Sequence, residues 1–237
     1  MDLSYFDVVD ATWPPAKITC NGPWLIREGQ GGGKRVSAVS ATCEVSAEDI
    51  PQALAAQDAL HQPHLFMLRP VDQALDQMLD DQGYQVVDPV HLYTVEPSTV
   101  AQAHIPPVTT FESETPLAIA RELWAEGGIG PERIAVMERA AGPKTFLLGR
   151  TDDRAAGCAF VAIHNGIAML HALEVITAHR GKGLGRYLMY AAAKWAHRNG
   201  AKELTLLVTR RNVPANALYT SLGMLVVGQY HYRLKEA

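Results

Sequence analysis

A glycine-rich turn directly before a long amphipathic helix is the feature that most constrains the fold of this chain. The turn is Arg180-Gly-Lys-Gly-Leu-Gly185; it follows a predicted strand at 167–176 and opens a predicted helix at 183–199. Apolar residues of this helix recur at helical spacing, which predicts one face packed against a sheet: Leu184, Leu188, Ala191, Ala192 and Trp195. A strand, a tight turn and a covering helix are typical of α/β proteins.

The same turn predicts an anion-binding site. The first backbone N–H groups of a helix have no intrahelical partner, and the helix dipole favours negative charge there. Glycines let the backbone approach the anion closely, and Arg180, Lys182 and Arg186 add positive charge. The spacing excludes a dinucleotide fingerprint, because Leu188 replaces its last glycine, and a P-loop, because Gly183 follows Lys182. A phosphate-bearing ligand of another kind is therefore expected.

Strand and helix patterns alternate along the chain on both sides of a Pro- and Ser-rich stretch at 96–107, which predicts two domains, 1–105 and 106–237. The first should contain two strands in 16–44 with a hairpin tip at 29–33, a helix at 46–60, a strand at 64–68, a helix at 71–82 and a strand at 84–95. The second should contain helices at 116–126, 131–140, 183–199 and 214–221 and strands at 144–150, 155–163, 167–176, 204–209 and 224–233. This order predicts an α/β (α+β) fold with a mixed sheet.

The end of the first domain resembles the end of the second after a shift of 140 residues. The shift places strand 64–68 on 204–208, helix 71–82 on 211–222 and Gly83 on Gly223. Few residues are identical, so the shared order of elements carries the comparison. We expect the two domains to share part of one fold.

Charge and cysteine content exclude several classes of protein. Residues 1–105 hold five Lys/Arg and fourteen Asp/Glu, whereas residues 106–237 hold sixteen and eleven, so the second domain is the one expected to meet an anion. A net charge of −4 argues against a nucleic-acid partner. No apolar run is long enough to span a membrane, and the acidic start does not match a secretory signal. Three distant cysteines argue against disulfides and thiolate metal sites, so a cytoplasmic location is expected. Pro63 separates His61 from His64 and breaks the helix that would align two ligands, so no metal is expected.

Two motifs in the second domain resemble those of the GCN5-related N-acetyltransferase (GNAT) family. The pattern [RQ]-x-x-G-x-[GA] matches residues 180–185, and N-x-x-A-x-x-L-Y-x-x-x-G matches residues 212–223. A helix and a strand of suitable lengths separate the motifs, and the resemblance covers about residues 108–237. Thr177 and Met224 depart from the usual Pro and Phe of the family, both at turn or packing positions.

The resemblance implies a GNAT fold and an N-acetyltransferase that moves an acetyl group from acetyl-CoA, its co-substrate, to a primary amine by direct attack in a ternary complex. In the family, the pantetheine arm lies like an added strand between two sheet strands that splay apart. The residues that would bind the cofactor here are Leu173 and Val175 beside the acetyl group, Arg180, Gly181, Lys182, Gly183, Leu184, Gly185 and Arg186 at the diphosphate, and Asn212.

Tyr219 occupies the position of the family's catalytic tyrosine. A thiolate with a pKa of about 8.5 can take a proton from a tyrosine near 10, so we expect Tyr219 to be the acid; the alternative is a core aromatic residue.

The base is assigned by a second resemblance. The stretch His171-Ala-Leu-Glu-Val175 is similar to the HALxV strand of arylalkylamine N-acetyltransferases, which implies that His171 accepts the amine proton. Strict strand alternation places His171 on the face of Leu173 and Val175, and Glu174 on the other face. A buried structural histidine, a water molecule and Glu174 remain alternatives; for Glu174 itself a role in a buried ion pair is preferred.

The shift of 140 residues aligns Ser40–Val45 of the first domain with the glycine turn of the second, and Leu79 with Tyr219. We therefore expect a degenerate GNAT-like domain without a cofactor site, whose acidic surface would favour a cationic amine. A catalytically silent acyl-CoA-binding sensor and an interaction protein on a decayed fold remain alternatives. The acceptor (small amine, amino acid, antibiotic or protein amine) and the oligomeric state stay open at the level of sequence.

Overall fold

The computed structural model describes residues 4–235. The helices and strands up to residue 105 are α1 (Ser4–Thr12), β1 (Lys17–Asn21), β2 (Trp24–Glu28), α2 (Lys34–Ser37), β3 (Ser40–Ala41), α3 (Ile50–Ala59), β4 (Leu65–Leu68), α4 (Gln73–Asp81), β5 (Gln85–Val95) and α5 (Pro97–Ala101). Those after it are β6 (Thr110–Ser113), α6 (Ala118–Glu126), α7 (Pro131–Arg139), β7 (Lys144–Thr151), β8 (Arg154–His164), β9 (Ile167–Val175), α8 (Leu184–Arg198), β10 (Glu203–Thr209), α9 (Val213–Ser221) and β11 (Leu225–Leu234), with a short 3-10 turn at Thr177–His179.

Eight of these strands form one mixed sheet in the order β4-β11-β5-β10-β9-β8-β7-β6. Strands β9 and β10 are parallel, and the other neighbours are antiparallel. A separate three-stranded sheet contains β1, β2 and β3. The predicted mixed α/β fold is confirmed.

Most predicted elements have observed counterparts, because their apolar periodicity is local information. Helix α1 and strand β6 were not predicted, and α5 lies inside the predicted linker, where Val100 is buried against the α8 side of the core. Strands from both sides of residue 105 belong to one sheet, so the proposed domain division does not separate two sheets.

The predicted hairpin tip at 29–33 is wrong. Strands β1 and β2 turn at Gly22 and Pro23, and the glycine cluster instead leads into α2. A Cβ atom on Gly32 would lie 2.6 Å from Val136 Cγ2 and 2.8 Å from Val36 Cγ2. The glycines therefore let this loop pack closely on α7, which is why they need not mark a turn between strands.

The shift of 140 residues relates the two halves both in the bounds of their helices and strands and in the pairing of their strands. Helices α4 and α9 have bounds that differ by 140 positions, and so do the starts of β5 and β11. In the sheet, Leu68 pairs with His231, and His91 pairs with Val208. The shift places Leu68 on Val208 and His91 on His231, so the two residue pairs are equivalent. The two halves are therefore related by a pseudo-twofold axis between β5 and β11. The last strand of each half pairs with the equivalent strand of the other half: β5 pairs with β10, and β11 pairs with β4.

Helices cover both faces of the sheet. Helix α8 packs on one face through a core that includes Leu184, Leu188 and Ala192. On the other face, α6 and α7 bury an aromatic cluster with Trp124, Phe146 and Phe160. Within residues 4–235, no helix has the length and apolar character that crossing a membrane requires.

Candidate active site

The parallel strands β9 and β10 separate at one end, and a cleft of about 640 Å3 opens beside them. Their pairing runs from Ile167–Glu203 to Leu170–Leu206 and then stops. Side chains or backbone of β9, the glycine turn, α8 and α9 line the cleft, among them Leu173, Val175, Arg180, Gly181, Gly183, Leu184, Gly185, Arg186, Asn212 and Tyr219. The structure thus brings together ten of the twelve residues predicted from the sequence. Lys182 belongs to the turn but its side chain does not line the cleft, and His171 lies outside it.

The glycine turn presents free backbone donors. Among the described residues, the N–H groups of positions 181 to 185 donate to no backbone carbonyl and no side-chain oxygen. Gly181 and Gly183 have φ values of 77° and 86°, a left-handed conformation that glycine adopts without strain. Gly183 is also the residue that precedes α8. Five unpaired donors at the start of a 15-residue helix suit a diphosphate.

Two arginines border the cleft. Arg180 donates from Nε to the Val175 carbonyl at 2.9 Å and from Nη2 to Glu174 Oε1 at 2.8 Å. Arg186 donates to Ser221 Oγ at 2.8 Å. Both arginines line the same cleft as the glycine turn, so they add positive charge beside its free N–H groups.

The side chain of Lys182 leaves the cleft. Its Nζ lies 2.6 Å from Asp152 Oδ2, in the turn between β7 and β8, and it holds the pKa of Asp152 below its usual value. Its side chain borders a different depression, near Tyr187. This corrects the expected charge contribution of Lys182 and leaves its backbone N–H in the turn.

Asn212 and Tyr219 reach the cleft from α9. Asn212 caps this helix by accepting a hydrogen bond from the Ala215 N–H at 3.2 Å. Tyr219 is buried, its ring centre lies 5.8 Å from that of Tyr93, and no hydrogen bond among described residues involves its hydroxyl. Burial, with a smaller effect of Tyr93, raises the pKa of Tyr219 to about 12, so its hydroxyl is a proton donor at any physiological pH.

A β-bulge in β9 reverses the predicted side-chain alternation. Ala172 has φ of 50°, and the pairing with β8 shifts so that Glu174 faces Cys158 while His171 faces Phe160. Leu170 and Leu173 consequently both pack on the α8 side, where regular alternation would have separated them. His171 therefore lies on the opposite face from Leu173, and the predicted shared face is wrong.

His171 is also fully engaged. Its Nε2 donates to Thr12 Oγ1 at 2.9 Å, since that hydroxyl gives its own proton to the Val8 carbonyl. Its Nδ1 accepts from Arg35 Nη1 at 3.0 Å, since a guanidinium can only donate. Burial and the nearby Arg35 charge hold the pKa of His171 well below its ordinary value. With both nitrogens bonded and the ring between Trp13 and Phe160, the histidine has no proton-transfer contact with the cleft, which corrects its assignment as the base.

The buried neutral His171 predicts a loss of stability in mild acid. In the unfolded chain it takes up a proton near pH 6.5, whereas in the folded protein its pKa is lower, so acid favours unfolding. Between pH 6.5 and 5.5 the free energy of unfolding should fall by about 1 kcal/mol through this residue. Urea unfolding at both values should show a smaller decrease for His171→Gln than for the unmodified protein. Equal decreases would contradict the assignment.

Glu174 lies at the rim of the cleft. It pairs with Arg180, and its Cγ would lie 2.6 Å from a Cβ on Gly127, so the turn between α6 and α7 packs against it. The preferred expectation is a buried ion pair; the ion pair forms, but the Arg180 side chain is 59% exposed, so the pair is only partly buried. The carboxylate is thus held by a cation instead of standing free as a base.

The pseudo-twofold axis produces a second cleft of about 620 Å3 in the first half. It is lined by Phe6 and by residues of two segments, 41–45 and 69–75, which the shift of 140 places on 181–185 and 209–215. Here the Thr42 N–H donates to the Pro23 carbonyl at 2.8 Å, and Arg69 is bound to Asp72 and to the Ala41 carbonyl. The buried Leu79 stands where Tyr219 does. This cleft keeps the outline of the first but not its glycine turn or its tyrosine; the lack of a cofactor site stays a prediction.

Comparison with known proteins gives the family of the second half of the chain. Residues 111–224 match the model of the acetyltransferase (GNAT) family. The chain therefore carries a GNAT acetyltransferase domain, and the family resemblance drawn from the two motifs is confirmed.

Similarity to individual proteins extends beyond this domain. An uncharacterized N-acetyltransferase, YobR of Bacillus subtilis (strain 168), is 27% identical over 234 residues, 95% of each chain. Streptothricin acetyltransferase of Streptomyces lavendulae is 39% identical over 90 residues, which are 37% of this chain and 48% of that one. A GCN5-related N-acetyltransferase from Kribbella flavida has the same fold, with a TM-score of 0.72 at 18% identity over 100% of this chain and 96% of that chain.

Proposed function

We propose that the protein transfers an acetyl group from acetyl-CoA to a primary amine by direct attack within a ternary complex. The observation that carries this proposal is the set of five unpaired N–H groups at 181–185, in a cleft that leads along the open edge of β9 to Tyr219. The family match supports acyl transfer, and GNAT proteins typically use acetyl-CoA.

Each part of the cleft suits one part of this ligand. The free N–H groups, with Arg180 and Arg186 beside them, suit the diphosphate. Strand β9 is unpaired on its β10 side beyond Leu170, so its backbone can bind the extended pantetheine arm as a neighbouring strand would. Leu173 and Val175 then provide an apolar wall for the acetyl group.

The reaction requires a hydrogen-bond donor for the leaving thiolate and an acceptor for the proton that the amine loses. The amine nitrogen forms a bond to the thioester carbonyl carbon, the carbon–sulfur bond breaks, and the thiolate leaves. The Tyr219 hydroxyl, protonated because of its raised pKa, stabilises that thiolate by donating to it. His171 is unavailable, so we assign removal of the ammonium proton to water in the cleft, where Glu174 is the one carboxylate among the described lining residues.

The proposal is tested by release of free thiol from acetyl-CoA in the presence of a panel of amines, with mass spectrometry of the products. An N-acetylated amine formed together with stoichiometric free thiol is expected. Saturable binding of CoA without thiol release from any amine would support the silent sensor instead.

Gly185 offers a test of where the cofactor binds. A Cβ atom added there would lie 3.4 Å from Leu218 Cδ2 and 4.0 Å from Leu173 Cδ2, so larger side chains extend into the cleft. Gly185→Val should weaken CoA binding at least 10-fold in calorimetric titration, whereas Gly185→Ala, the matched control, should weaken it less. Both variants should keep the unfolding temperature, because a helix position gains propensity on losing glycine. Unchanged CoA affinity in the valine variant would place the cofactor elsewhere.

A further inference from the structure

A small pocket lies on the opposite side of the sheet at the same open end of β9 and β10. Its volume is about 240 Å3, and its wall includes Ala172 of β9 and Thr209 of β10. Ala172 precedes Leu173, which lines the cofactor cleft, so consecutive residues of one strand border both spaces. The volume is below the usual 300–1,000 Å3 of drug-sized ligands, so the pocket suits a small molecule.

Two arginines enter this pocket without a carboxylate partner. Arg35 comes from the first half and Arg133 from α7. Arg35 donates one N–H to His171, and its guanidinium carbon lies 5.7 Å from the centre of the Trp13 ring. Its Nε is buried and has no acceptor among the described residues. A buried donor without an acceptor is rare in proteins and points to a missing partner.

The second guanidinium is positioned by a glycine. A Cβ atom on Gly33 would lie 3.2 Å from Arg133 Nη2 and 3.3 Å from its Nε, so Arg133 rests directly on this backbone. Among the described residues, Arg133 makes no hydrogen bond or ion pair. The glycine cluster, which the sequence wrongly predicts as a hairpin tip, thus holds the two arginines at one pocket.

The neighbouring carboxylates are already engaged. Asp88 lines the pocket, but it is bound by Lys34 at 2.8 Å and by Arg211 at 3.0 Å. Glu132 turns toward Gly31 and Gly130 instead. The side chains of this pocket therefore carry an excess of positive charge.

We propose that Arg35 and Arg133 bind the carboxylate of the acceptor, which is an amino-acid-type molecule whose amine reaches the thioester through the gap between β9 and β10. This inference rests on the proposed function and names its substrate class. It also replaces the expected cationic acceptor, because the charged first-half residues that line this pocket, Lys34, Arg35 and Asp88, carry a net positive charge although the first half as a whole is acidic.

The test uses the product class, N-acetyl amino acids, each paired with its carboxamide. Binding of a panel of such pairs to the full-length, CoA-loaded protein is measured by calorimetry. At least one acid should bind 10-fold or more tightly than its amide, because charge-assisted hydrogen bonds to a carboxylate are lost in the amide.

Three variants separate the pocket from general charge effects. Arg133→Gln and Arg35→Gln should each weaken binding of that acid about 10-fold and leave binding of the amide unchanged. Arg121→Gln, which removes an exposed arginine paired with Glu138, should change neither. Arg133 is itself exposed, so its variant should fold even where Arg35→Gln does not.

The proposal is overturned if no acid in the panel binds more tightly than its amide, or if inorganic phosphate binds while acids and amides do not differ. CoA binding is measured first in the same series. A protein that fails to bind CoA contradicts the proposed function, and the same acid and amide titrations on the free protein still decide whether the pocket binds a carboxylate.

Discussion

Replacing Tyr219 by phenylalanine is expected to lower kcat about 100-fold, while the affinity for CoA stays within about twofold. The hydroxyl has no partner among the described residues, so its removal breaks no structural hydrogen bond. What is lost is the donor to the leaving thiolate, and general acids contribute about 10²–10⁴ to the rate. Steady-state thiol release and CoA titration together give both quantities.

The pH dependence gives a second readout of the same residue. Because burial raises the pKa of Tyr219 to about 12, the hydroxyl stays protonated as the pH rises from 7 to 10. The rate should therefore rise as the amine loses its proton and should not fall again below pH 10. Tyr190→Phe, on α8, is the matched control and should keep the full rate. Full activity of Tyr219→Phe would end its assignment as the acid.

Separating the chain at residue 105 is expected to unfold both pieces. Strand β5 has β10 and β11 as its two neighbours, and β4 is joined to the large sheet through β11. A fragment of residues 1–105 therefore loses every strand that flanks β5, and buried backbone groups without partners are strongly unfavourable. Circular dichroism and amide exchange should show both fragments largely unfolded, with structure returning when they are mixed.

A chain cut between residues 101 and 110 is the control for this experiment, because all strand pairs survive the cut. It should stay associated and keep its unfolding transition near that of the intact chain. A folded 1–105 fragment would contradict the strand exchange. Saturable binding of acetyl-CoA by that fragment at micromolar concentrations would contradict the degenerate character of the first half.

Local pattern was sufficient for much of the fold and of the cofactor cleft. The turn at 180–185 and α8 could be predicted because glycine conformation, helix start and apolar spacing are properties of neighbouring residues. The same holds for α9, whose capping Asn212 and Tyr219 are seven positions apart on one helix. These elements place their side chains in the cleft without help from distant parts of the chain.

The face of His171 could not be predicted, because strand alternation assumes a regular strand. The bulge at Ala172 inserts one residue and moves everything before it to the other face. Nothing in the sequence around Ala172 signals a positive φ for alanine. The hydrogen bonds of His171 to Thr12 and Arg35 cross more than 130 residues, so the sequence could not decide between a base and the alternative of a buried structural histidine, which the structure shows.

Sequence alone determined most of the strands and helices, apart from α1, α2, α5 and β6. It also determined that a glycine turn with free donors opens α8, and that the second half belongs with the acetyltransferases. Tertiary structure decided that the halves exchange their last strands and that His171 faces away from the cofactor cleft. It also decided that Arg35 and Arg133, which are 98 positions apart in the chain, line the same pocket. The physical reason is the range of the interactions. Backbone conformation and amphipathic spacing act over a few residues, whereas strand order, register and pocket charge depend on segments that become neighbours only when the whole sheet assembles.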